Sequence, residues 1–152
     1  MRAFYSHILY NLLISLVIFP VLVLASDNRT NIDQQDIAIH GYDPVAYFTL
    51  KEAVKGKTNL SYQWLDSSWL FSSTENRQVF IDNPRRYVPQ FGGYCAYAAS
   101  YGQFADIDPR AWSIINDKLY LNYSLRVRET WKPRAAEFIG DAEQLWPMMK
   151  PP

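Results

Sequence analysis

The residues of this chain best suited to chemistry are few. Cys95, the only cysteine, lies in "QFGGYCAYAAS", and His40 lies in "IHGYDPVAYF" with Asp43 three positions on. A thiolate and an imidazole are soft and borderline metal ligands, and together they can also form a nucleophile and its base. Two ligands fall short of the four that close a structural zinc site, but they suit Cu(I), a transition metal that accepts low coordination. Asp43, or the late Met148 and Met149, would complete such a set. Used catalytically, Cys95 and His40 would need an orienting carboxylate and an oxyanion hole, which Asp43 and the amides near Gly92-Gly93 could supply. No recognised catalytic motif surrounds them, so catalysis is the weaker reading. Each residue also has a plain structural use. A free cysteine is often a small buried hydrophobe, an Asp before Pro starts turns, and a His beside Gly can tie a turn to the backbone. Tyr42, Tyr47, Tyr94, Tyr97 and Tyr101 cluster around both motifs. They either pack in the core or line a pocket with hydroxyls and rings.

The elements that must position these residues follow from pattern. Tyr62, Trp64, Trp69 and Phe71 alternate with polar residues across Asp66-Ser67-Ser68, which predicts a hairpin. Trp112, Ile114, Leu119, Leu121 and Tyr123 alternate around Asn116-Asp117, which predicts a second. "LKEAVKGKTN" reads as a turn or two of helix stopped by Gly56. Ser72, with Glu75 three residues on, is a possible helix cap, as are Ser73 and Thr74, before a helix ending near Pro84. The alanines after Gly93 allow a helix from Tyr94 to Tyr101. Trp131, Ala135, Phe138, Ala142 and Leu145 share a helical face, with Pro133 in the first turn. No internal repeat is visible. The expected fold is α+β, a small antiparallel sheet of hairpins with packed helices.

The chain of 152 residues holds one domain and a leader. Arg2, the apolar run from Ile8 to Leu24 and "VLA" before Ser26 form an export signal over residues 1–25. An uncleaved anchor is the competing reading, since spanning helices need roughly 20 residues. No basic cluster follows the run, which favours cleavage near Ala25 and a periplasmic or secreted protein with no membrane span. Residues 26–36 are a polar, flexible lead-in, and residues 37–148 form the domain. Lysine plus arginine and aspartate plus glutamate both number 15, so no charge excess favours nucleic acid or an anionic surface. With 5 Trp, 11 Tyr and 8 Phe, a core can form without disulfides.

"GYDPVAYF", "SYQWLDSSWLFSSTENRQVFIDNPRRYVPQFGGYCAY" and "AWSIINDKLYLNYS" together resemble the YHS domain family, over about residues 37–146. The chain is most similar to its exported, single-domain branch. In the metal-binding members three cysteines recur, and the matching positions here are Ala46, Ser72 and Asn76. The resemblance therefore implies the fold and not the metal chemistry. Read with the residues, it implies a binding module of the cell envelope, acting through Cys95 and His40 or through an aromatic surface for an envelope protein.

Overall fold

The computed structural model describes residues 29–150; the leader and the first residues of the lead-in lie outside them. Among the described residues no helix is long and apolar enough to cross a membrane. Over the described residues the fold is α+β, with six short α-helices around two separate two-stranded antiparallel sheets.

Strands β1 (Lys57–Trp64) and β2 (Ser67–Phe71) form the first hairpin. Strands β3 (Asp108–Ile115) and β4 (Lys118–Asn122) form the second. Each turns on two residues with positive φ, Leu65 (47°) with Asp66 (60°), and Asn116 (49°) with Asp117 (60°). That is the left-handed turn whose twist matches paired strands. The first turn therefore falls one step earlier than the polar run suggests, and Ser67 and Ser68 belong to β2. Leu65 is a poor residue for positive φ, so composition alone points the wrong way.

The two hairpins are copies in geometry. Trp64 pairs with Ser67 and Lys57 with Phe71, while Ile115 pairs with Lys118 and Asp108 with Asn122. Every pair recurs at an offset of 51 residues, including the irregularity between Lys57 and Ser61 and that between Asp108 and Trp112. The match continues into the helices. Ser73 accepts a hydrogen bond from Asn76 N at 3.1 Å and caps α2 (Thr74–Asp82). Ser124 accepts one from Val127 N at 3.2 Å and caps α5 (Leu125–Trp131). Ahead of each hairpin lies a left-handed stretch, Ile39–Gly41 and then Phe91–Gly93. Each leads into one turn of helix, α1 (Ala46–Thr49) or α4 (Ala96–Ala99). Residues 39–82 and 91–131 are thus two structural repeats. They escape a reading by sequence because turn geometry and caps carry the likeness, with few shared side chains.

Other local expectations shift. "LKEAV" is not helical; the helix lies earlier, at α1, and Tyr42 and Lys55 form a bridge. The Tyr94–Tyr101 segment is helical only over α4. The tail helix is broken after Trp131 by a 3-10 turn at Lys132–Arg134, and α6 (Ala135–Leu145) follows. Pro133 has no N–H, and its ring collides with the carbonyl four residues back, so α5 cannot continue. A further short helix, α3 (Pro84–Tyr87), begins on Pro84.

The central core joins both repeats, with Trp69, Phe71 and Phe80 against Leu119, Leu121, Val45 and Tyr47. Phe80 meets Phe71 at 5.1 Å and Trp69 at 5.4 Å between ring centres. A second cluster seats Trp131, Phe138 and Ala142 against Phe91 and Tyr120. The lead-in is stitched down where it is described. Asn31 N donates to Gly92 O at 2.8 Å, and the buried Asn31 side chain reaches Asp106 Oδ1 at 3.1 Å.

Candidate functional site

The structure gives His40 and Cys95 separate surroundings, and no hydrogen bond joins them. His40 sits in the left-handed stretch at φ 56°, where the second repeat has Gly92 at 58°. Its ring Nε2 lies 2.6 Å from Asp106 Oδ1, with both side chains substantially exposed. Lys55 Nζ donates to the His40 carbonyl. Burial works to raise the Asp106 carboxyl, but hydrogen bonds from His40, Asn31 and the Ile107 amide outweigh it and hold it below its ordinary value. Burial, and then the charge of Asp106, push the nearby Tyr94 hydroxyl up.

Cys95 is 1% exposed. Its amide donates to Ala105 O at 3.0 Å, and it bridges to Leu121 beside β4. The thiol lies 3.7 Å from Asn122 Oδ1, a weak hydrogen bond. The same oxygen accepts from Tyr97 N at 3.3 Å, at the start of α4. Asn122 is fully buried, and its Nδ2 has no partner among the described residues.

Asp43 is far more than a turn residue. It is completely buried and gathers five donors. Oδ1 accepts from Val45 N at 2.9 Å and Ala46 N at 3.2 Å. Oδ2 accepts from Ser72 N at 2.8 Å, Ser72 Oγ at 2.6 Å and Asn76 Nδ2 at 2.7 Å. Ala46 through its amide, and Ser72 and Asn76 through their side chains, all touch this carboxylate. A closed hydrogen-bond network occupies that spot. Ser73 is then left to cap α2, so the choice among Ser72, Ser73 and Thr74 is decided by Asp43. Among the described residues no three His, Cys, Asp or Glu side chains gather as a metal site would require.

The tyrosines divide. Tyr47 is fully buried, donates to Pro109 O at 2.9 Å and lies 5.6 Å from the Trp112 ring. Burial pushes its hydroxyl far up, with Tyr42, Asp108 and Asp43 adding to the effect. Tyr42 lies under the Lys55 ammonium at 5.0 Å. Tyr94 packs on Phe104 at 4.8 Å, and Tyr97 on Phe138 at 4.9 Å. None of these four lines the cleft beside the turn of the first hairpin.

A cleft of about 380 Å³ lies there, without a signal in the sequence. It opens between the first hairpin's turn, the segment from α3 to Gly92, and the two ends of the described chain. Trp64, Trp69, Phe91 and Trp146 supply rings, and Arg29, Arg85, Gln90 and Glu143 supply polar groups. Its size falls within the range of small-molecule sites. Arg29 donates to Trp146 O at 2.7 Å and Met149 O at 2.8 Å, with its guanidinium 4.2 Å from the Trp146 ring centre. Gly92 is required at the edge of the cleft, because a Cβ there would stand 1.8 Å from Arg29 O. The cleft joins residues so far apart in the chain that no motif could announce it. No family model, curated protein or solved structure matches the chain.

Proposed function

We propose that this is a non-catalytic binding module of the cell envelope, a YHS-like domain in which Cys95 is structural and the aromatic cleft is the binding site. The cleft carries the proposal: rings and polar groups converge there, whereas the thiol and the imidazole are each engaged elsewhere. Cys95 faces Asn122 in the core and His40 faces Asp106 at the surface. A nucleophile pair needs hydrogen-bond contact, and a metal pair needs both ligands within one coordination sphere. The signal-like residues 1–25 support export, with cleavage near Ala25.

Two measurements test this. Titration with small aromatic fragments, followed by NMR, should shift the indole signals of Trp64 and Trp146 and the Gln90 amide first. Anaerobic Cu(I) titration should leave the spectrum unchanged. One-to-one copper binding that disappears in Cys95→Ser would overturn the reading in favour of a metal site. Intact mass of the protein from the envelope fraction should correspond to a start near Ser26. A full-length mass from the membrane pellet would point to an anchor.

A further inference from the structure

Resting on that reading, we infer that the cleft takes a small aromatic anion, a flat ring system carrying a carboxylate or phosphate. Trp69 is 1% exposed and forms part of the floor, with its Nε1 donating to Trp64 O at 3.2 Å. The ring of Trp64 meets it at 6.4 Å, edge to face. Trp146 is held by Arg29 and packs on Phe91 at 5.7 Å. The half-buried Trp64 and Trp146 are fixed by these neighbours, so a flat guest can pack on them without first ordering them.

The polar groups select the charge. Arg85 lines the cleft and is exposed, and among the described residues its guanidinium has no carboxylate or carbonyl partner. The one acidic residue of the lining, Glu143, faces Lys118 with 3.6 Å between Oε1 and Nζ. The Gln90 side-chain amide and the Trp64 indole N–H have no hydrogen-bond partner among the described residues either. The exposed Arg85 guanidinium, with Glu143 paired and unengaged donors beside indoles that meet edge to face, complements an acceptor-rich anion. A guanidinium offers two parallel N–H groups to such an anion.

The test uses 2-naphthoate, 2-naphthylmethylammonium and cyclohexanecarboxylate with protein expressed from the full-length gene, read by calorimetry and by NMR at the tryptophan indoles. Naphthoate should bind at least tenfold more tightly than either of the others. Arg85→Gln, a surface change, should remove that preference, while Arg86→Gln should not. If the ammonium binds the cleft as tightly, the anion assignment falls and the binding reading stands. If cyclohexanecarboxylate matches naphthoate, the aromatic assignment falls. If no probe moves a cleft signal at millimolar concentration, both the inference and the underlying reading fail. Nuclear Overhauser contacts between the cleft and residues before Arg29 would show the chain filling its own cleft, and would also overturn the inference.

Discussion

Replacing Asp43 by Asn changes one atom and should cost about as much as a core truncation. The five donors around Asp43 ask for two acceptor oxygens, and Asn brings one. With its oxygen toward Val45 and Ala46, its NH2 group meets Ser72 N–H, Ser72 Oγ and Asn76 Nδ2. The Ser72 hydroxyl can rotate to accept, which leaves two donors facing a donor. Each costs roughly 1–3 kcal/mol when buried. Ser72 and Asn76 are half-buried, so the lower part of that range applies, giving a total of about 3 kcal/mol. Domains of this size are stable by only about 5–15 kcal/mol, so the loss is large but survivable. The swap Asp43→Asn with Asn76→Asp restores a donor-to-acceptor contact and should recover about 1–2 kcal/mol, within the usual range for coupled neighbours. Urea melts of the wild type, both single variants and the double variant measure this. A single Asp43→Asn variant within about 1 kcal/mol of wild type, or a swap no better than the sum of its parts, would refute the network argument.

Other consequences are equally open to measurement. His40→Gly should be more stable than His40→Ala by about 1 kcal/mol in thermal melts, because position 40 has positive φ and both variants lose the Asp106 contact. Equal melts would mean that the backbone relaxes there. Asp106 is held below its ordinary value, so its contribution is full above the unfolded carboxylate range and fades as pH falls through the lower folded value. Asp106→Asn should therefore lower stability at neutral pH and show a smaller further loss in acid; parallel pH profiles would contradict this. Gly92→Ala should lose more than about 2 kcal/mol, with hydrogen exchange rising at Asn31 N, since its Cβ would strike backbone. Cys95→Ser should cost less than about 1 kcal/mol because Asn122 offers the hydroxyl a partner, whereas Asn122→Ala, which orphans Tyr97 N in the interior, should cost about 2 kcal/mol or more. Thiol titration should be slow in the folded state and fast in urea, and a fast native reaction would contradict the burial of Cys95.

What was legible in the sequence is what adjacent residues decide. The alternation of Trp112, Ile114, Leu119 and Leu121 around Asn116-Asp117 locates the second hairpin, and the Ser-rich stretch after Phe71 marks the start of α2. Pro133 was visible, but its effect depends on whether the carbonyl four residues back is already helical, and here it is. The sites were not legible, for a different reason. Asp43 is bonded to residues 29 and 33 positions away, and His40 to one 66 positions away. Local pattern carries no record of such pairings. The cleft draws on both ends of the described chain and its middle, so it exists only once the two repeats have docked.

The repeats also explain why the lone thiol stands where it does. Asp43 N donates to Val54 O at 2.8 Å, and Cys95 N donates to Ala105 O at 3.0 Å, so the two residues hold matching places. In the first repeat the acceptor sits on the loop: Asp43 receives Val45 N, with the donors Ser72 and Asn76 at the hairpin's end and on α2. In the second repeat the acceptor sits on the hairpin: Asn122 receives Tyr97 N, and the loop position needs only a small group. Phe71, the counterpart of Asn122, is core and cannot accept. The positions equivalent to Ser72 and Asn76 are Tyr123 and Val127, so a carboxylate at position 95 would lack both side-chain donors that satisfy Asp43. A buried charge without such donors is costly. A thiol fills the same space, donates weakly to Asn122 and carries no charge. Cys95 is thus the residue that lets one loop geometry be used twice while its polar partner changes sides.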